Sequence, residues 1–596
     1  MNRRITVSLM LLAVVALALP ACGGGGSSNT TALPAAPPSS SPTTTETAFT
    51  CPSSDGTSSV STGGGGSGES VARRAPSRAA ASTASSASPA SATARIAVTY
   101  QSSAYSSQKS TFLANEGRAG AQLVRTFHYD ATLGKVVDLL TVPSSQAAAA
   151  MAALRSQSGV VSVAASGQRR YGLTAQANLV NNHYFDGFTP ANTPPYYEAA
   201  AVPGQWDMHA IGLEYAFGYA TTNNSTGAAH GAALGTHGVK LAIVDTGEDT
   251  LHPDLGANVV YQRCFITNET GVQSTGDYST DPDGHGTDVS GIAAAVTNSS
   301  SGLGFAGAGG NTAIMAYRVF PAPDDSCANN PGSTDPQCGA DTADIASAID
   351  DAVANGANVI SLSIGGGSCT GNPSVNGGDS DPVEGAAIES AIHSNVVVIA
   401  ASGNGSSSSV DAPACDAGVL AVGASALADG EPNGSGHSGG TPTAPVEYVA
   451  SYSDYGSPAS SAGCSGSACN GAWGIVAPGG DPTGSGDSDD LHWIENIWTS
   501  TPLDSNFAGS CSSDYGTTSV PDCRILIAGT SQATPHVAGV AALVCGLNPA
   551  DCNPASMKQL LCGTAHDIGD PHEGCGRLDA YLAVATAVGD SSPPSR

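Results

Sequence analysis

The sequence predicts an α/β protein: a parallel sheet with helices on both faces, preceded by a small α+β unit. Three observations carry that expectation. Between residues 240 and 401 short apolar runs alternate with helical patterns, which is how a parallel sheet covered on both faces reads. Between residues 95 and 172 the patterns run strand, helix, strand, strand, helix, strand, the order of a ferredoxin-like unit. Far downstream, a Gly-Thr-Ser turn at 529–531 leads into the apolar run 540–544, which predicts a buried helix.

The elements follow from the local patterns. In the small unit, residues 96–100, 122–127 and 136–140 alternate like strands, 145–155 is Ala-rich and helical, and 160–163 is the closing strand. Residues 166–192 are irregular and offer an exposed place for cleavage. In the larger region strands are expected at 241–244, 313–319, 359–364 and 396–401, with helices at 290–296, 344–355 and 384–393. Reactive side chains in such a sheet belong near the carboxyl ends of its strands.

The chemistry starts from Ser531. A serine in the first turn of a helix sits beside unpaired backbone N–H groups, which favour negative charge developing there. Pro535 fits a position close to the helix start. A serine hydroxyl is a weak nucleophile and needs a base, which in turn needs an orienting partner. Upstream, Asp245 ends the strand at 241–244, and His285 stands between two glycines at the start of a helix. Asn404, in a Gly-Asn-Gly turn after the strand at 396–401, is a candidate oxyanion donor beside the Ser531 N–H.

Five motifs in order resemble the subtilisin-like serine proteases over residues 192–588: Asp-Thr-Gly at 245–247, His-Pro-Asp-Leu at 252–255, Gly-His-Gly-Thr at 284–287, Ser-Gly-Asn at 402–404 and Gly-Thr-Ser at 529–531. The chain order Asp, His, Ser is also that of subtilisin. The resemblance implies an endopeptidase with Asp245, His285 and Ser531 as triad and Asn404 in the oxyanion hole. It implies a substrate strand at Ser363, Ile364 and Gly365, and a pocket wall at Ala401, Ser402 and Gly403. Gly405 stands where some relatives place an acidic pocket residue, and Asp411 lies close by in sequence. Asp254 and Asn298 align with ligands of a structural calcium ion. No cofactor is required for the chemistry. Residues 205–208 resemble the N-terminal arm of bacterial relatives, and 95–172 is similar to their inhibitory, chaperone-like propeptides. One departure is that Asp288 stands where relatives commonly carry a second histidine.

Composition and the N-terminus set the context. The chain has 596 residues, 50 acidic against 20 basic, and a formal net charge of −30. That disfavours nucleic-acid binding, which needs clustered Lys and Arg, and suits a soluble exported domain. Arg3 and Arg4 precede an apolar run at 7–19, the length of a signal peptide. The run ends at Leu19, Pro20, Ala21 and Cys22, which resembles a lipoprotein site with Cys22 as the lipidated residue. Residues 23–94 are Gly-, Ser-, Ala- and Pro-rich, a tether with an r.m.s. span of roughly 45–50 Å. The domain plan is 1–22 signal, 23–94 tether, 95–172 propeptide-like unit, 173–203 arm and processing region, 204–588 catalytic domain and 589–596 tail.

The 15 cysteines point to an oxidising compartment. The resemblance implies Cys369–Cys415. Proximity suggests Cys327–Cys338, Cys464–Cys469, Cys511–Cys523, Cys545–Cys552 and Cys562–Cys575, leaving Cys264 to find Cys51. The expected protein is a monomer acting on proteins, with its own propeptide as inhibitor and the membrane reached only through the lipid. Two other readings share the scaffold: a silent surface lipoprotein that binds peptides, and a peptide ligase or cyclase.

Overall fold

A computed structural model describes residues 93–170, 174–176, 205–213, 215–217, 238–267, 273–276, 280–296, 305–321, 339–367, 369, 381–428, 446–481, 493–499, 510–512 and 522–590. The signal segment, Cys22, most of the tether, Cys51, Asn298, Cys327 and Cys338 lie outside them. Among the described residues no helix is long and apolar enough to cross a membrane.

The N-terminal unit comprises β1 (Thr93–Gln101), α1 (Ser102–Arg118), β2 (Gln122–Tyr129), β3 (Lys135–Pro143), α2 (Ala147–Arg155) and β4 (Val160–Ala165). Strand β1 begins inside the segment expected to be tether. The four strands pair antiparallel in the order β2-β3-β1-β4. Alternation on β1 decides what packs where. Ile96, Val98 and Tyr100 meet Phe112 of α1 and Leu154 of α2, whereas Ala97, with Val137 and Leu139 of β3, faces the larger domain. A sheet buried on both faces by different partners is thereby built from one period-2 pattern.

Beyond β4 the stretch expected to be irregular holds two short strands among its described residues. Residues Gln168–Arg169 form β5 and Thr174–Gln176 form β6. After α3 (Trp206–Ala210), the larger domain is laid down as β7 (Lys240–Asp245), β8 (Val259–Thr267), β9 (Gln273–Gly276), α4 (His285–Ala294), β10 (Ala313–Arg318), β11 (Ala340–Asp341), α5 (Thr342–Ala354), β12 (Val359–Leu362), α6 (Pro382–His393), β13 (Val397–Ala401), β14 (Leu420–Ala428), β15 (Val446–Val449), β16 (Gly474–Pro478), β17 (Ile494–Trp498), β18 (Ser510–Ser512), β19 (Asp522–Ala528), α7 (Thr530–Leu547), α8 (Pro554–Thr564) and α9 (Ala580–Ala587).

The main sheet runs β15-β14-β13-β12-β7-β10-β8-β9, with β16 also on β14. Its pairings are parallel except at the two antiparallel ends, β15 and β9. Strand β7 shows why both faces are covered. Leu241 and Ile243 pack with Val289 of α4 and Val537 of α7 on one side. Ala242 and Val244 pack with Ile345 of α5 and Ile388 of α6 on the other. Such a strand carries no polar alternation. Helix α7 is buried from Thr530 through Cys545, so its apolar stretch has no polar face. Side-chain caps fix the outer helices: Asp341 accepts from Ala343 N–H on α5, and Asp381 accepts from Val383 N–H on α6, where Pro382 opens the helix.

Two boundaries depart from expectation. The apolar pattern places a helix at 290–296, whereas it starts at His285, where the histidine motif places a helix start, because the Gly284 turn rather than the apolar pattern sets it. Strand β12 ends at Leu362, and the chain from Ser363 to Gly365 leaves the sheet to pair elsewhere.

Four disulfides join described cysteines: Cys369–Cys415, Cys464–Cys469, Cys545–Cys552 and Cys562–Cys575. Cys264 and Cys523 are also disulfide-bonded, and Cys511 lies opposite Cys523 in the β18–β19 register. Closing such loops restricts the unfolded chain by about 2–4 kcal/mol per bridge. Reductant is therefore expected to lower the melting temperature while leaving the thiol-free catalytic groups chemically untouched. Superimposable melting curves with and without reductant would contradict it.

Candidate active site

The helix that starts at His285 packs against the helix that carries Ser531 and against β7, which ends at Asp245. Asp245 is the last residue of β7 and His285 the first of α4. His285 Nδ1 and Asp245 Oδ1 are 2.7 Å apart, both side chains almost wholly buried. Asp245 Oδ1 also accepts the Thr246 N–H at 2.7 Å, which fixes the carboxylate plane. Burial alone would lower the His285 pKa. The Asp245 carboxylate, with Asp283 and Asp288 nearby, outweighs it, and the imidazole is held above its ordinary 6.5. Only a neutral ring accepts a proton, so the rate is expected to rise with pH along a limb centred above 6.5. A kcat/KM limb centred below that value would contradict the Asp245–His285 coupling.

Ser531 is the second residue of α7. Its N–H is one of the first-turn donors that a helix cannot satisfy internally. Pro535 is not in that turn: it is the sixth helical residue. Lacking an N–H, it deprives the Ser531 carbonyl of its usual i+4 donor. The Ser363 hydroxyl fills the gap, donating to Ser531 O at 2.8 Å, while Ser531 Oγ donates to Ser363 O at 3.1 Å. This reciprocal pair locks the turn that carries Ser531 to the segment that follows β12.

Asn404 sits beyond β13, and its Oδ1 accepts from Thr530 N–H at 3.0 Å and Thr530 Oγ1 at 2.8 Å. With Oδ1 so held, the amide's Nδ2 is turned away from Thr530, which leaves Asn404 a candidate oxyanion donor. Asn404→Ala is expected to fold and to lose about 10²–10³ in kcat. An unchanged kcat would remove Asn404 from that role.

The expected pocket residues divide. Gly403 adopts φ +112°, and a Cβ there would run into the carboxylates of Asp454 and Asp411. A Cβ on Gly365 would reach Ala412 O and the Asp411 side chain at 3.6 Å, so the Asp411 side chain lies close to both glycines. Burial and the neighbouring Asp454 raise Asp411 to about 6. Ser402 donates to Asp454 O, and Ala401 and Ile364 are buried in the core rather than open to a ligand.

Several groups escaped the sequence reading. Asp281 accepts from Thr246 Oγ1, Asp283 N–H and Gly284 N–H through Oδ1, and from Thr287 N–H and Oγ1 through Oδ2. It thus ties the end of β7 to the start of α4. Its position in an Asp-Pro-Asp turn before His285 was the only local sign. Asp288, the departure in the histidine motif, is buried and accepts from Gln532 Nε2 at 2.9 Å. Burial raises it to about 7. Gln532, next to Ser531, supplies the donor to Oδ2, while Asp288 Oδ1 is buried without a hydrogen-bond partner among the described residues. The N-terminal arm is anchored by Asp207, whose Oδ2 lies 2.8 Å from His536 Nε2 of α7.

Asp254 is buried and Asn298 lies outside the described residues. Among the described residues no cluster of three or more His, Cys, Asp or Glu side chains is arranged to hold a metal. Ca²⁺ takes six to eight oxygens, of which Asp254 could supply those of one carboxylate.

The geometry is a buried Asp–His pair and a helix-start serine on a parallel α/β scaffold. Residues 236–580 match the subtilase family, and the chain belongs to that family. It is 31% identical over 349 residues to thermitase of Thermoactinomyces vulgaris, covering 58% of this chain and 88% of that protein. It is 30% identical over 362 residues to subtilisin BL of Lederbergia lenta, covering 60% of this chain and 94% of that protein. The fold also resembles fervidolysin of Fervidobacterium pennivorans, with TM-score 0.53 at 21% identity, over 83% of this chain and 61% of that one. The epidermin leader peptide processing protease of Staphylococcus aureus gives TM-score 0.50 at 19% identity, over 84% of this chain and all of that one. The last two show the fold alone. Family membership brings the class of activity, a serine protease acting on proteins.

Proposed function

We propose that the chain is an exported serine endopeptidase that cleaves peptide bonds through an acyl-enzyme on Ser531 and processes its own N-terminal unit. The observation that carries this reading is a strand of the chain itself lying in the cleft. Arg170 N–H donates to Gly365 O at 2.7 Å and Gly365 N–H donates to Arg170 O at 2.6 Å, two residues beyond the Ser363 that bonds Ser531. Strand β6 pairs with β19, Thr174 opposite Ala528, three residues before Ser531. The chain is thus held on both sides of the nucleophile, as β-augmentation holds a substrate.

In the proposed reaction Ser531 Oγ attacks a carbonyl carbon and His285 Nε2 takes its proton, with Asp245 stabilising the imidazolium. The oxyanion is met by the Ser531 N–H and Asn404 Nδ2. Collapse breaks the C–N bond, His285 returns the proton to the leaving amine, and water then hydrolyses the ester with His285 again as base. A bound calcium ion would be structural, and no step passes through it.

The four-stranded unit takes the part of an intramolecular inhibitor. Its outer face rests on α5 and α6, where Lys135 Nζ reaches Glu389 at 2.8 Å and Arg125 Nη1 reaches Ser347 Oγ at 2.5 Å. Cutting between Arg170 and Thr174 would separate this unit, and the lipid proposed at Cys22, from the protease. A fluorophosphonate probe tests the catalytic reading. Labelling of the wild type that vanishes in Ser531→Ala supports it. An unlabelled wild type that still binds peptides would favour the silent binding protein, and products heavier than the substrates would favour a ligase.

A further inference from the structure

The strand in the cleft carries a side chain that backbone pairing does not require. Arg169 is 5% exposed, and its guanidinium is spent on the protease. Nε and Nη2 donate to Glu384 Oε2 at 2.8 Å and 2.5 Å, and Nη1 donates to the Gly366 carbonyl at 2.7 Å. Glu384, in the first turn of α6, has no exposure. Its second oxygen, Oε1, is buried without a hydrogen-bond partner among the described residues. Around it the charge is of one sign: Asp381 and Asp416 also act on Arg169. The backbone is gripped at the same place. Gln168 and Arg169 pair with Asp341 and Ala340 of β11, and Gly167 N–H donates to Asp381 Oδ2 at 2.8 Å.

We infer that Glu384 forms the floor of a specificity pocket that selects arginine in substrates, at the position Arg169 holds in the chain's own cleft-bound strand. This rests on the proteolytic reading above and deepens it. A plain structural role, holding the N-terminal unit in place, accounts for the ion pair within the uncut chain; the selective role concerns what Glu384 meets once that unit has been cut away. After the unit is cut away, Glu384 remains in the protease beside Asp381, its cation gone. Two neighbouring carboxylates left without their cation favour a new one. A substrate guanidinium restores the pair and the bond to Gly366 O. Arginine suits the pocket better than lysine because its planar fork serves two acceptors at once. Glu384 is not a capping-box acid folding back on its own helix, since its Oε2 accepts from Arg169 Nε and Nη2 instead.

The test uses active enzyme from the full-length chain and a quenched fluorogenic peptide copying residues 166–177. Versions carry leucine, lysine or citrulline in place of Arg169. Removing one partner of a buried charge pair sets the scale: kcat/KM is expected to fall roughly 30-fold or more for leucine and for citrulline. Lysine should lie between. In Glu384→Gln the arginine-to-citrulline ratio should collapse toward one. If that variant fails to fold, the wild-type peptide series decides alone. Equal cleavage of all four peptides by wild type, with fluorophosphonate labelling intact, would overturn the pocket while leaving the protease standing. A ratio unchanged in Glu384→Gln would overturn it too. Absence of both cleavage and labelling would remove the proteolytic reading and this inference with it.

Discussion

Ser531→Ala is expected to lower kcat by about 10⁶, because triad members act as a unit and losing the nucleophile costs nearly as much as losing all three. The fold should survive. The lost hydroxyl surrenders one hydrogen bond to Ser363 O, worth about 1 kcal/mol, while the Ser363 hydroxyl still holds the Ser531 carbonyl. The variant should also stop at the precursor, with the segment at Arg170 uncut. Fractionation reads both consequences. Wild type should yield a soluble form beginning between residues 171 and 174, and Ser531→Ala a full-length form retained with the membrane through Cys22. Equal processing of the two would sink the self-cleavage model. Equal retention of two uncut chains would sink the release model.

Asp245→Asn is expected to cost about 10⁴ in kcat with little change in KM. The wild-type carboxylate accepts from His285 Nδ1 and from Thr246 N–H at 2.7 Å each through one oxygen. An amide can turn an NH₂ toward the ring, which leaves the imidazole in the tautomer whose Nε2 carries the proton and cannot serve as base. It also removes the charge that holds the His285 pKa up, so the residual activity should show its acid limb at lower pH. A loss smaller than tenfold would show that another group orients the ring.

What the chain order made legible was local. Asp245 ends a strand, His285 opens a helix after a glycine, and Ser531 starts a helix after Gly529, each within a few residues of its own punctuation. Periodicity placed the strands of the small unit because one face of β1 had to be large and apolar, Ile96, Val98 and Tyr100. It missed the true start of α4, since a Gly turn carries no hydrophobic period.

The partners were decided only by the tertiary structure. Gln532 meets Asp288 across 244 residues, Arg169 meets Glu384 across 215, and Ser363 meets Ser531 across 168. None of these pairs has a spacing rule. Parallel strands joined by helical crossovers bring remote chain segments to one edge of the sheet, and which polar groups then face each other depends on register and helix docking. Pro535 shows the division most plainly. The sequence shows that an N–H is missing and so that some carbonyl must go without its helical donor; only packing could name Ser363 as the group that replaces it.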